Sequence, residues 1–221
     1  MAPAREIEAK KVEKLYSTKP KRIVLGSREY RIPSNYFGPK ERDEPDTFVA
    51  KENGFGFFMF LPEFEGYTKE NWRDPFDRRL IQVIWVKIVD KDAMLTRTDG
   101  VRVRIAPAMY GDPNARFKRR RLRLEKVPSF KLYGLEGFRW KTGAPGITWV
   151  GNRSNGEFFF FESTLQPGEQ PLPGRYASCQ AAYYSETEDL YIAYRYPQEH
   201  LHQWREIDDA VWGKLSVWRV K

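Results

Sequence analysis

Two pairs of strand-length runs face each other across turns with room for nothing but a chain reversal. Residues 147–150 and 157–161 flank Gly151-Asn152-Arg153-Ser154-Asn155-Gly156, and residues 178–184 and 190–196 flank Ser185-Glu186-Thr187-Glu188-Asp189. Asn155-Gly156 suits the positive φ that a tight reversal demands, so each pair predicts an antiparallel hairpin. Further runs have the same character. Residues 22–25 and 28–32 flank Gly26-Ser27, 55–61 ends at Pro62, 80–89 is rich in β-branched side chains, and 101–105 alternates Val-Arg-Val-Arg-Ile after Asp99-Gly100. Residues 130–133 and 138–140 add two short runs, interrupted by Gly134 and Gly137. Fifteen Phe, twelve Tyr and seven Trp supply the flat, half-buried surfaces that pleated sheet favours.

Helical periodicity is confined to the ends. After Pro197, the residues Leu201, Trp204, Ile207, Val211, Leu215 and Trp218 recur at spacings of three and four, which places them on one helix face. Residues 4–15 read as a short polar helix whose only apolar stripe is Ile7, Val12 and Leu15. Strands in succession with helices at the ends predict an α+β fold: a mainly antiparallel sheet, a short N-terminal helix, and a C-terminal amphipathic helix packed on the sheet. The domain expectation is a polar helix over 1–20 and a single α+β domain over 21–221, with an alternative division near 111–114. Residues 38–46 and 166–174, both carrying prolines, are expected to be loops.

The formal charge is +8, and it is local. Arg116, Lys118, Arg119, Arg120, Arg121, Arg123 and Lys126 stand against Glu125 alone, which leaves the rest of the chain nearly balanced. Such a strip serves as a charged sheet edge that blocks unwanted pairing, as a docking face for an acidic protein, or as a phosphate-binding surface.

The residues offer little for catalysis. His200 and His202 are two apart, which does not suit a helical metal pair. The single Cys179 cannot form an intrachain disulfide and is expected in the core. Ser154 lacks the Gly-x-Ser-x-Gly frame of a nucleophile elbow, and there is no phosphate-cradling Gly-rich loop. Carboxylate pairs are the chemistry left open: Glu63 with Glu65, Glu186 with Glu188 and Asp189, Asp208 with Asp209. Each is expected on a solvated surface. No cofactor and no metal are expected. No run reaches the roughly 20 apolar residues of a membrane-spanning helix, and the first residues lack the apolar segment of a secretory leader.

Two stretches carry a resemblance. Tyr30-Arg31-Ile32-Pro33-Ser34-Asn35-Tyr36-Phe37 and Phe60-Leu61-Pro62-Glu63-Phe64-Glu65-Gly66-Tyr67, with Glu70-Asn71-Trp72 after it, resemble periplasmic immunity proteins encoded beside type VI secretion effectors of Gram-negative bacteria, the lipase-effector group above all. The resemblance covers about the first 90 residues. It implies a periplasmic, non-enzymatic protein that binds a toxic phospholipase effector and occludes its active site, with no small-molecule substrate. A cytoplasmic location is the alternative. Inhibitor interfaces centre on a few Arg or aromatic anchors. The expected contacts are therefore Arg119, Arg120, Arg121 and Arg123 of the strip, Asn152, Arg153 and Asn155 of the hairpin tip, and Trp72. A nucleic-acid-binding domain using residues 116–126 is the competing reading.

Overall fold

The computed structural model describes residues 16–38, 42, 45–50, 54–71, 79–88, 124–140, 146–164, 177–185 and 187–220. The expected N-terminal helix over 4–15, the strand over 101–105, the division near 111–114 and the loop over 166–174 lie outside them.

A continuous meander makes most of the larger sheet. Strands β6 (Leu124–Leu132), β7 (Leu135–Trp140), β8 (Ile147–Asn152), β9 (Phe158–Ser163), β10 (Ser178–Ser185) and β11 (Leu190–Pro197) each pair with the next. On the free side of β11 sits β5 (Leu80–Lys87), and outside that β4 (Phe55–Phe60). The eight strands run β4-β5-β11-β10-β9-β8-β7-β6, with every neighbour antiparallel. A second sheet has the order β2-β1-β3, from β1 (Pro20–Leu25), β2 (Arg28–Pro33) and β3 (Thr47–Val49). β1 and β2 form the expected hairpin over Gly26-Ser27, whereas β3 joins β1 in parallel. Three residues carry too little pattern to announce a strand, and this pairing was not anticipated.

The C-terminal periodicity is realised with a shifted start. Pro197 opens a 3-10 turn, Gln198–Gln203, and the α-helix proper, α1, spans Trp204–Trp218. All six stripe residues are buried. α1 and the three-stranded sheet cover one face of the large sheet together. Trp218 packs edge-on against Tyr36 at 4.7 Å and Phe57 at 5.1 Å, Tyr30 meets Phe55 at 5.4 Å, and Tyr183 meets Trp212 at 6.3 Å. Trp149, Trp204, Phe57, Phe161, Tyr183 and Tyr194 are all fully buried, each contributing on the order of 2–3 kcal/mol by burial alone. Val220 N donates to Glu29 O at 2.8 Å, so the end of the chain ties α1 back to β2.

Gly137 does not break its strand, as the sequence had suggested. β7 runs through it, because a Cβ there would sit 2.6 Å from the Phe130 Cβ on β6. The glycine is a close-approach residue inside the sheet. β6 also begins earlier than expected and takes in Lys126, the last residue of the basic strip.

The two stretches that carry the resemblance pack on each other. Tyr67 N donates to Asn35 O at 2.6 Å, Asn35 Nδ2 to Tyr67 O at 3.3 Å, and Tyr36 Oη to Phe64 O at 3.2 Å. Asn71 closes the turn, with Nδ2 donating to Gly66 O and Oδ1 accepting from Thr68 N. These residues fasten the segment after β4 to the one after β2.

Candidate functional site

Consecutive antiparallel strands put alternate turns at the same end of a sheet. The β6–β7, β8–β9 and β10–β11 turns therefore share one rim, and they touch. Gly151 lies against the first turn: a Cβ there would meet the Leu135 side chain at 2.8 Å, Gly134 O at 3.5 Å and the Trp204 ring at 3.6 Å. Glu157, closing the second turn, accepts from Thr187 N at 2.9 Å and Thr187 Oγ1 at 2.6 Å in the third.

A buried polar cluster fixes the middle turn to α1. Arg153 starts the turn, yet it is only 7% exposed. Its Nε donates to Asp208 Oδ2 at 2.7 Å, and its Nη1 donates to Glu157 Oε2. The guanidinium also lies over the Trp212 ring at 5.0 Å and the Tyr183 ring at 5.4 Å. Asp208 is 1% exposed. Its Oδ1 accepts from Tyr194 Oη at 2.8 Å and from Tyr183 Oη, and Tyr183 Oη accepts in turn from Trp212 Nε1 at 2.6 Å. Hence every oxygen of the carboxylate has a donor, as a buried charge requires.

Burial lifts the Asp208 pKa above the ordinary carboxylate value, while Arg153 and the two tyrosine hydroxyls pull it down without fully offsetting the rise. Burial likewise opposes the Arg153 charge, but Tyr183, Asp208 and Glu157 outweigh it, and its pKa lies above the usual value. Burial pushes Tyr183 and Tyr194 well above the normal phenol range, with the Asp208 charge adding to it. Glu157 behaves differently: burial raises it, but hydrogen bonds from Thr187, Asn155 and Ser185 bring it down to about 2.

The first turn is held by the same helix. Trp204 Nε1 donates to Tyr133 O at 3.0 Å, and the Arg205 guanidinium stacks on the Trp204 ring at 4.8 Å, over Gly134. Leu132 pairs with Leu135, so the loop is two residues, Tyr133 at φ +53° and Gly134 at φ +78°. Glycine and asparagine accept this backbone readily; a bulky L-residue there costs about 1–2 kcal/mol.

Of the residues expected to contact a partner, Asn152 and Asn155 are exposed on this rim, and Asn155 Oδ1 accepts from Glu157 N at 3.0 Å. Arg153 points inward instead. Its charge is spent on Asp208 and Glu157, so it anchors the tip and is not displayed by it. Arg119, Arg120, Arg121, Arg123 and Trp72 lie outside the described residues. Lys126 is exposed and pairs with Glu136 at 2.8 Å.

Asp208 corrects a second expectation. It and Asp209 were read as solvated neighbours, but only Asp209 is exposed, where it accepts from Ser154 Oγ at 2.6 Å. The two carboxylates therefore do not face a common reacting group. A signal for this was present, since position 208 lies four after Trp204 and three before Val211, inside the apolar stripe. His202 is exposed with Nδ1 3.1 Å from Glu199 O, and His200 Nδ1 lies 3.1 Å from Gln203 Oε1. Cys179 is fully buried, and burial pushes its thiol up to about 12. Among the described residues no three His, Cys, Asp or Glu side chains are grouped to hold a metal, and no helix is long and apolar enough to cross a membrane.

This arrangement offers a solvent-facing rim tied down by hydrogen bonds and buries its charged cluster behind it. The whole topology has a counterpart among solved structures. The chain shares its fold with a bacterial immunity protein. That protein, from the Stenotrophomonas maltophilia type IV secretion system, matches with a TM-score of 0.60 over 93% of this chain and 95% of its own, at 17% sequence identity. No protein-family model matches the chain, and no curated protein does.

Proposed function

We propose that this chain is an immunity protein that binds and neutralises a secreted toxic effector, and that it performs no reaction of its own. The observation that carries this reading is the near end-to-end likeness to the Stenotrophomonas immunity protein. The sequence resemblance leads to the same class by a different route. It also supplies the finer reading adopted here: a type VI phospholipase effector, met in the periplasm and blocked at its active site. The Stenotrophomonas protein serves a type IV system, so the two supports differ on the delivery machine while agreeing on the task.

The rim and the basic strip supply the contact surface. Asn152, Ser154 and Asn155 are displayed at fixed positions because Arg153 and Asp209 tie their turn to α1. The cationic Arg119–Arg123 segment accelerates encounter with an acidic partner. Trp72 is a further proposed contact.

The test is co-purification with the product of the adjacent reading frame, followed by binding kinetics. A stoichiometric complex and loss of effector toxicity are expected. Changing Arg119, Arg121 and Arg123 to Glu should slow association at low salt. Separate elution of the two proteins at micromolar concentration would remove the immunity reading. Salt-sensitive retention on DNA in its place would favour the nucleic-acid alternative.

A further inference from the structure

We infer that Tyr133, at the tip of the β6–β7 turn, is a displayed anchor that inserts into a carboxylate-rimmed cleft on the effector. The inference rests on the immunity reading and deepens it by naming an anchor and the chemistry of its receptor.

The argument begins with a misfit between residue and backbone. A two-residue hairpin with positive φ at both central positions selects Asn-Gly or Gly-Gly. Here the glycine occupies the second position, but the first, at φ +53°, is a tyrosine. The fold does not need this side chain. What α1 grips is the main chain, through the Trp204 indole and Tyr133 O, and any residue supplies that carbonyl. The residue is 54% exposed, and its only ring neighbour among the described residues is the exposed His202, centroid to centroid 6.1 Å. No hydrogen bond from a described residue reaches its Oη. A residue that costs local stability and stays half exposed, with one exposed ring beside it among the described residues, marks a position kept for something outside the chain. Tyrosine suits that use, with a large amphipathic surface and few rotatable bonds.

The surroundings specify the receptor. Arg205 is held beside the turn by stacking on Trp204, with its guanidinium over Gly134. Lys131, two residues before Tyr133, is exposed. An aromatic tip with Arg205 held beside it and Lys131 exposed nearby complements an apolar slot with acidic walls. The β6–β7 turn also touches β8 immediately before Asn152, through the Gly151–Gly134 contact, so one partner surface can meet both turns.

The deciding variant is Tyr133→Asn. It supplies the residue the turn prefers, so the melting temperature should rise by about 2–4 °C, while affinity for the effector encoded next door falls at least tenfold. Lys131→Gln, which avoids setting a second carboxylate opposite Glu136, should leave stability nearly unchanged and slow association at low salt. A melting temperature that falls would show that packing holds the tyrosine and would overturn the inference, as would unchanged affinity of Tyr133→Asn in a complex the wild type forms. If the wild-type chain does not bind that effector at all, the immunity reading fails first. If Tyr133→Asn weakens retention on a single-stranded oligonucleotide instead, the tyrosine is a base-stacking platform and the proposed receptor is wrong.

Discussion

Replacing Asp208 by Asn isolates what holds the rim in place. The substitution keeps the shape of the side chain and leaves one carbonyl oxygen for Tyr183 and Tyr194. It replaces Oδ2, the acceptor of Arg153 Nε at 2.7 Å, by an amide that donates. Two donors then face each other in a space 1% open to water. Losing a charge-assisted hydrogen bond costs about 1.5–3 kcal/mol, and leaving a buried donor unsatisfied about 1–3 kcal/mol more. Together they agree with the 3–5 kcal/mol typical of breaking a buried pair from one side. For a chain of this length that is a drop in melting temperature of about 6–20 °C. Urea titration should show the same loss with an unchanged slope, because the denatured chain exposes the same surface. The exposed Asp209, changed to Asn, should cost well under 1 kcal/mol. A cycle with Arg153→Met separates the pair from its surroundings. Removing both charges should cost less than the sum of the single losses, with a coupling above about 2 kcal/mol. An Asp208→Asn loss below about 1 kcal/mol would refute the claim that this cluster fastens the turn to the helix.

Two further outcomes follow from the geometry. Glu157 is held at about 2 when folded, against 4.5 ordinarily, so its contribution is present above pH 4.5 and lost as the pH falls from about 5 to 2. Asp208 is shifted upward and acts with the opposite sign, so the measure is the difference between wild type and Glu157→Gln across that window; two parallel pH-stability curves would contradict the assignment. Gly66→Ala would place a Cβ 2.5 Å from the Asn35 carbonyl oxygen, a backbone atom with little freedom to move. A loss of about 1–3 kcal/mol is expected in thermal melts, and a neutral change would mean that the two segments are not packed as described.

The sheet was legible in the sequence where local signals coincide. The hairpins at Gly26-Ser27, Asn155-Gly156 and 185–189, the long apolar run that became β5, and the stripe from Leu201 to Trp218 each combine periodicity with a turn or a start signal. What escaped was decided at longer range. β3 is too short to show alternation and exists because β1 offers it an edge. Gly137 reads as a breaker until the neighbouring Phe130 shows why no larger residue fits. Arg153 and Asp208 are 55 residues apart and charged, and each alone looks like a surface residue. Only the pairing makes burial tolerable, and no local pattern reports a partner at that distance. Tyr133 escaped for a related reason: an aromatic before a glycine at the end of a strand reads as one more sheet residue, and its conflict with the turn appears only with the positive φ.

The same contacts explain how the proposed binding surface can be made of turns without being loose. Each of the three turns on the rim has its own fastening. Trp204 holds the β6–β7 turn through Tyr133 O; Asp208 and Asp209 hold the β8–β9 turn through Arg153 and Ser154. The β10–β11 turn is gripped from the three-stranded sheet, where Arg28 Nη1 donates to Glu188 O at 2.7 Å and Asp189 O at 3.2 Å. Two of these fastenings come from one stretch of α1, residues 204–209, which is itself seated by its apolar stripe. Packing of that helix is thereby coupled to the position of the rim. Turns ordered before an encounter need not be ordered during it, which removes part of the entropic cost of association. A substitution deep under α1, such as Val211→Ala, should therefore weaken effector binding beyond its effect on the folded fraction, by letting the rim shift. A stability loss with unchanged affinity of the remaining folded protein would show that the rim keeps its shape without the helix beneath it.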